Sequence, residues 1–116
     1  MIERQKVRVH ELELEVCMYT SSINSIPVVI LHGFMDHHLA WDDVCKALTD
    51  KSLNVLSYDQ RGHGRSSHVS SSSQYHFPDY ISDLYELLEV LQITKCHLIG
   101  HSMGGTVASI FAAVFP

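Results

Sequence analysis

The chain has 116 residues, 46% of them apolar, enough for one modest globular core and too many for a disordered composition. A net charge of −5 with no run of Lys or Arg argues against a nucleic-acid partner or an anionic membrane surface, because both select clustered cations. No stretch approaches the roughly 18 apolar residues needed to cross a bilayer, and Met1 to Thr20 lacks the apolar block of a signal peptide, so the expected location is cytoplasmic, with no membrane partner.

Val7 and Val9 alternate with polar neighbours, and Leu12, Leu14, Val16 and Met18 continue in the opposite parity. This predicts two antiparallel strands joined by a turn or bulge near His10-Glu11. Ser21 to Ser25 is a polar connector, and Pro27 to Leu31 is a continuous apolar run, the pattern of a strand buried on both faces, ended by His32-Gly33. Trp41, Val44, Cys45 and Leu48 have the spacing of one helical stripe, which puts Trp41 in the core. A second buried strand is predicted over Leu53 to Tyr58, stopping at Asp59.

Gln60 to Phe77 contains Gly62, Gly64 and the serine cluster Ser70 to Ser73, which predicts a surface loop. A helix follows from Pro78-Asp79, with Ile81, Leu84, Leu88 and Leu91 buried and Asp83, Glu86 and Glu89 facing water. Cys96 to Ile99 is predicted as a third buried strand and Gly104 to Val114 as a third helix, with Val107, Ile110, Phe111 and Val114 as its stripe. Such alternation implies an α/β fold of one domain, residues 1–116, with parallel strands, right-handed crossovers and helices on both faces. Cys17, Cys45 and Cys96 are odd in number and widely spaced, as expected of reduced, buried thiols and not of a disulfide framework.

Gly100-His101-Ser102-Met103-Gly104 reads Gly-x-Ser-x-Gly between the third strand and the third helix. A sharp strand-to-helix turn thrusts a serine hydroxyl out of the backbone, where a base and a substrate can both reach it, and glycines are needed because side chains would collide in so tight a bend. His101 is expected to support this elbow and not to act as its base. In Asp59 to Ser66 the glycines permit positive φ, while Asp59 and Arg61 suit charge-assisted bonds that hold a turn.

A dinucleotide site is disfavoured because Gly62-x-Gly64 lacks the third glycine of the fingerprint. A phosphate loop is disfavoured because Thr106 stands where its lysine must be. Among the nine histidines, the closest cluster, Asp36-His37-His38 with His32, matches no common zinc spacing. Neither a cofactor nor a metal is expected.

Three landmarks stand in fixed order: His32-Gly33-Phe34, Asp59-Gln60-Arg61-Gly62-His63-Gly64-Arg65-Ser66, and Gly100-His101-Ser102-Met103-Gly104-Gly105, each after a buried strand. Together they resemble the α/β-hydrolase family from about Val7 onward. The resemblance implies the N-terminal part of a larger, mostly parallel sheet with an antiparallel N-terminal edge, in which the strand before the elbow, central in the complete fold, is a bare edge here. Within that family it resembles the small soluble esterase, serine-hydrolase-like and carbon–carbon hydrolase members. Haloalkane dehalogenases and epoxide hydrolases carry an aspartate where Ser102 stands, and those chemistries are disfavoured.

The roles implied are Ser102 as nucleophile toward an acyl carbonyl, with the backbone N–H groups of Phe34 and Met103 as the oxyanion hole and the Phe34 ring beside the acyl pocket. The family's acid and histidine lie beyond the elbow helix. The expectation is therefore a fragment, nearly inert alone, of a serine hydrolase that cleaves an ester, thioester or related small-molecule acyl bond through an acyl-serine. The rival expectation is a non-catalytic binding or interaction protein of the same fold.

Overall fold

The computed structural model describes residues 2–21, 25–68 and 75–116. The middle of the Ser21 to Ser25 connector and the Ser70 to Ser73 cluster lie outside these residues. Strand β1 (Ile2–Val9) pairs antiparallel with β2 (Leu12–Tyr19), with Val9 opposite Leu12, so His10-Glu11 forms the turn and His10 takes a φ of 56°. Strand β1 starts earlier than its alternation indicates, because Glu3 to Lys6 are polar and exposed and carry no hydrophobic signal.

Strands β3 (Val28–Leu31), β4 (Val55–Tyr58) and β5 (His97–Gly100) complete one sheet in the order β1-β2-β4-β3-β5. Strand β2 pairs antiparallel with β4, and β3 is parallel to both β4 and β5, as the alternation of strands and helices requires.

The period of two along each strand divides the core. Val28 and Ile30 face a cluster with Cys17, Tyr19, Val55 and Cys45, the last from α1 (Asp42–Asp50). Val29 and Leu31 face the opposite cluster, closed by Leu84 and Leu87 of α2 (Phe77–Val90) and by Val107 and Phe111 of α3 (Met103–Val114). Helices thus cover both faces.

Several expectations need correction. Strand β5 is not the buried strand its apolar run suggests but the open edge that the resemblance implies: it pairs only with β3 among the described residues, and His97, Ile99 and Gly100 are exposed. For the same reason Ile110 and Val114 of α3 are exposed while Val107 and Phe111 are covered. The helix at Trp41 begins as a 3-10 turn, His38–Trp41, which rotates the stripe so that Cys45 is buried and Val44 is exposed. In α2, Leu87 is fully buried and Leu91 only partly. Cys17 and Cys45 are buried free thiols, and burial pushes Cys45 up to about 11, but Cys96 is only half-buried.

The largest correction concerns the Gln60 to Phe77 loop, whose first part is buried: Gln60, Arg61, His63 and Ser66 all lie inside. Asp83 of α2, expected in water, is 2% exposed and grips Arg61 through two parallel bonds of 2.6 and 2.7 Å. This pairing holds the guanidinium above its ordinary pKa. Gly62 and Gly64 have the expected positive φ, 76° and 52°.

Asp59 organises the same segment. Its Oδ1 accepts the backbone N–H of His38 at 2.6 Å and contacts Nδ1 of His38 at 2.7 Å, and its Oδ2 accepts the Arg65 N–H at 3.0 Å. Burial pushes the Asp59 pKa up, but these bonds outweigh it and hold the carboxyl below its usual value. Its stabilisation is therefore fully present above the unfolded value of 3.8 and is lost as pH falls through the lower folded value. His32 adds an earlier loss: its folded pKa lies below 6.5, so the unfolded chain takes up that proton first as pH falls through 6.5. The urea midpoint is expected to decline below about pH 6.5 and again below about pH 4, the second step shrinking in Asp59→Asn, with Asp42, also held below its usual value by Tyr19 and Lys46, accounting for part of what remains. A midpoint flat from about pH 7 to about pH 3.5 would contradict this.

Candidate active site

Parallel pairing places the C-terminal ends of β3, β4 and β5 along one edge of the sheet, so His32-Gly33-Phe34, Asp59 and Ser102 emerge side by side. The ladder runs one residue past β5, with the His101 N–H donating to the Leu31 carbonyl at 3.1 Å. Ser102 then turns sharply, with φ 56° and ψ −118°, a strained conformation for a residue with a side chain. Its own carbonyl is the first acceptor of α3, taking the Thr106 N–H at 3.1 Å.

Glycines make the bend possible. A Cβ at Gly100 would lie 2.3 Å from the Gly104 carbonyl oxygen, and one at Gly104 would lie 2.2 Å from that of Leu31. The elbow helix thus rests directly on the backbone of β3. Gly33 closes the other side, since a Cβ there would be 3.3 Å from Cβ of Ser102 and 3.1 Å from Nδ1 of His101. The serine, which is exposed, and the loop after β3 are therefore so close that a side chain at position 33 would press on both Ser102 and His101.

Met103 is the first residue of α3, so its N–H has no acceptor within the helix. Phe34 follows Gly33, is 65% exposed, and sets its ring edge-on to His63 with centroids 5.7 Å apart. Both residues line an open cleft of about 820 Å³ whose other walls include His63, Tyr75, Phe77 and Tyr80. The sequence reading missed His63, Tyr75 and Tyr80. The available signal was the glycine pair: Gly62 has no room for a Cβ, which would fall 2.4 Å from the Tyr75 ring, so a buried turn and not a surface loop surrounds His63.

The loop after β3 is tied to β4. His32 Nδ1 lies 2.7 Å from the Gly33 carbonyl oxygen, which can only accept, so this nitrogen carries the proton. Nε2 accepts the Gln60 N–H at 2.9 Å, and the Gln60 side-chain amide donates to the His32 carbonyl at 2.8 Å. Burial holds the His32 pKa below its ordinary value, in keeping with a neutral ring.

The His101 ring packs against Trp41, with centroids 5.8 Å apart, and Trp41 borders the core cluster beneath α1. Among the described residues, no imidazole or carboxylate bonds to the Ser102 hydroxyl, and no group of three His, Cys, Asp or Glu side chains could hold a metal ion. Among the same residues, no helix is long and apolar enough to cross a membrane.

Comparison with known proteins agrees with this geometry. A protein family described as alpha/beta hydrolase fold matches residues 26–116. The chain is 38% identical over 90 residues to a serine hydrolase-like protein of Danio rerio, covering 78% of this chain and 27% of that one. It is 36% identical over 106 residues to the sn-1-specific diacylglycerol lipase ABHD11 of Xenopus laevis, covering 90% and 33%. Among solved structures, the epoxide hydrolase VrEH1 from Vigna radiata superposes with a TM-score of 0.89 at 24% identity, over 97% of this chain and 35% of that one, a likeness of fold alone. The thioesterase domain from the curacin biosynthetic pathway gives 0.88 at 27% identity, over 98% and 42%. The chain therefore spans about a quarter to a third of these two relatives' length. With the sheet order, the strained serine and the glycine contacts in agreement, the chain belongs to the α/β-hydrolase fold family.

Proposed function

We propose that this chain carries the nucleophile and the oxyanion hole of a serine hydrolase, acting on an ester, thioester or related acyl bond of a small molecule. The observation that carries the reading is the backbone of Ser102: a positive φ at a residue with a side chain, packed against Gly33 and wedged by glycines that admit no Cβ. Strain of this kind, about 1–3 kcal/mol, persists where the surrounding structure over-determines it, and it clusters at reacting groups.

In the proposed mechanism Oγ of Ser102 adds to the acyl carbonyl, a base takes its proton, and the oxyanion receives the N–H groups of Phe34 and Met103. Collapse of the tetrahedral adduct expels the leaving group and leaves an acyl-serine, which water then cleaves. The names of relatives, a diacylglycerol lipase and a thioesterase domain among them, support acyl chemistry. The acid and base are assigned to sequence that follows α3 in the complete protein, so that residues 1–116 form the N-terminal part of one domain. A cytoplasmic location belongs to the same proposal, in which no cofactor or nucleic acid takes part.

A fluorophosphonate probe tests this reading, because it captures only a serine that has a working base. The complete protein is expected to be labelled at Ser102, and Ser102→Ala to lose labelling and about a millionfold in turnover. An unlabelled Ser102 with a folded protein would favour the second reading, a binding protein of the same fold.

A further inference from the structure

We propose that His32, as the neutral ring protonated on Nδ1, is a positioning residue that aims the Phe34 N–H toward the oxyanion site, with Gln60 as the clamp that selects this tautomer. The inference rests on the reading of Ser102 and Phe34 given above.

Its basis is the planarity of a single peptide. The Gly33 carbonyl and the Phe34 N–H belong to one trans peptide unit and point in opposite directions, so whatever holds the carbonyl also aims the amide. The Gly33 oxygen receives Nδ1–H of His32 at 2.7 Å and the Asp36 N–H at 3.1 Å. Both bonds draw the carbonyl to one side and leave the Phe34 N–H on the other.

Gln60 makes the tautomer unambiguous. Its backbone N–H can only donate and meets Nε2 at 2.9 Å, so a proton on Nε2 would set two donors face to face. The Gln60 side chain grips the His32 carbonyl as well, fixing the backbone from which the ring springs. The other titratable groups near the ring are His63, with its centroid 5.0 Å away, and the carboxylates of Asp59 and Asp36. Those carboxylates would attract a second proton, and burial opposes it more strongly.

Two substitutions separate the nitrogens. His32→Asn keeps a donor near the position of Nδ1 and loses the acceptor at Nε2, whereas His32→Gln places its amide near Nε2 and loses the bond to Gly33. The first readout is nitrogen-15 NMR of the complete protein. His32 is expected as the Nδ1–H tautomer, titrating below 6.5. The Phe34 amide and Gly33 carbonyl resonances are expected to shift in His32→Gln and to stay near their native positions in His32→Asn. An Nε2–H tautomer, or a Phe34 amide unmoved in His32→Gln, overturns the proposal.

The second readout is binding of phenylboronic acid, whose boron becomes tetrahedral, by boron-11 NMR, when Oγ of Ser102 adds to it and the hydroxyl proton passes to buffer. Affinity is expected to fall at least about tenfold in His32→Gln and to stay within about threefold in His32→Asn. Equal affinity in both folded variants overturns the positioning role. If the complete native protein forms no tetrahedral boronate, or its Ser102→Ala variant still does, the reading of Ser102 fails, and the NMR arm still decides the role of His32.

Discussion

Replacing Gly104 by alanine is expected to destabilise the protein by more than about 3 kcal/mol and to abolish probe labelling of Ser102. The added methyl would lie 2.2 Å from the Leu31 carbonyl oxygen and 2.5 Å from that of His32. Both neighbours are backbone atoms at the end of a central strand, so no rotamer change can make room, and α3 must move away from β3. Any such movement also parts Ser102 from Gly33. Gly105→Ala is the control, because its Cβ would meet only the Gly100 carbonyl, at 3.3 Å, and alanine suits a helix better than glycine. It is expected to stay within about 1 kcal/mol of the native protein. Urea denaturation of both variants tests the argument, which fails if Gly104→Ala is as stable as Gly105→Ala.

Arg61→Ala is expected to cost about 3–5 kcal/mol, a large share of the roughly 5–15 kcal/mol that stabilises a domain. Arg61 is 7% exposed and Asp83 2%, and the guanidinium fork satisfies both carboxylate oxygens at 2.6 and 2.7 Å. Removing the cation leaves a buried carboxylate with little else to compensate it, since His10 reaches Asp83 only at 3.9 Å. Removing both charges is different in kind: Arg61→Met with Asp83→Leu is expected to recover most of the loss, because a buried ion pair gains little over well-packed apolar groups. A thermodynamic cycle of the two single variants and the double variant measures this. Additive losses without recovery would show that the pair does not act as a unit.

The two halves of the site were unequally visible in the sequence. Ser102 and its glycines could be read directly, because a strand-to-helix bend without room for side chains writes itself into consecutive residues. Asp83 and His63 could not. An aspartate on a helix otherwise flanked by acidic, water-facing residues reads as solvated, and nothing local indicates that Arg61, in a loop more than twenty residues earlier, folds back onto it. His63 reads as part of a polar turn, yet it becomes a cleft wall once Tyr75 and Tyr80 close over that turn. The His32–Gln60 clamp is equally hidden, being two residues on adjacent parallel strand ends whose proximity exists only after pairing.

Local sequence thus determined the strands, the helices, the elbow and the turn glycines, because each depends on periodicity or on steric limits within a few residues. Tertiary structure alone decided which polar groups are buried, above all Arg61 against Asp83 and His32 against Gln60. Those outcomes depend on contacts between segments far apart in the chain, where pairing and desolvation act together.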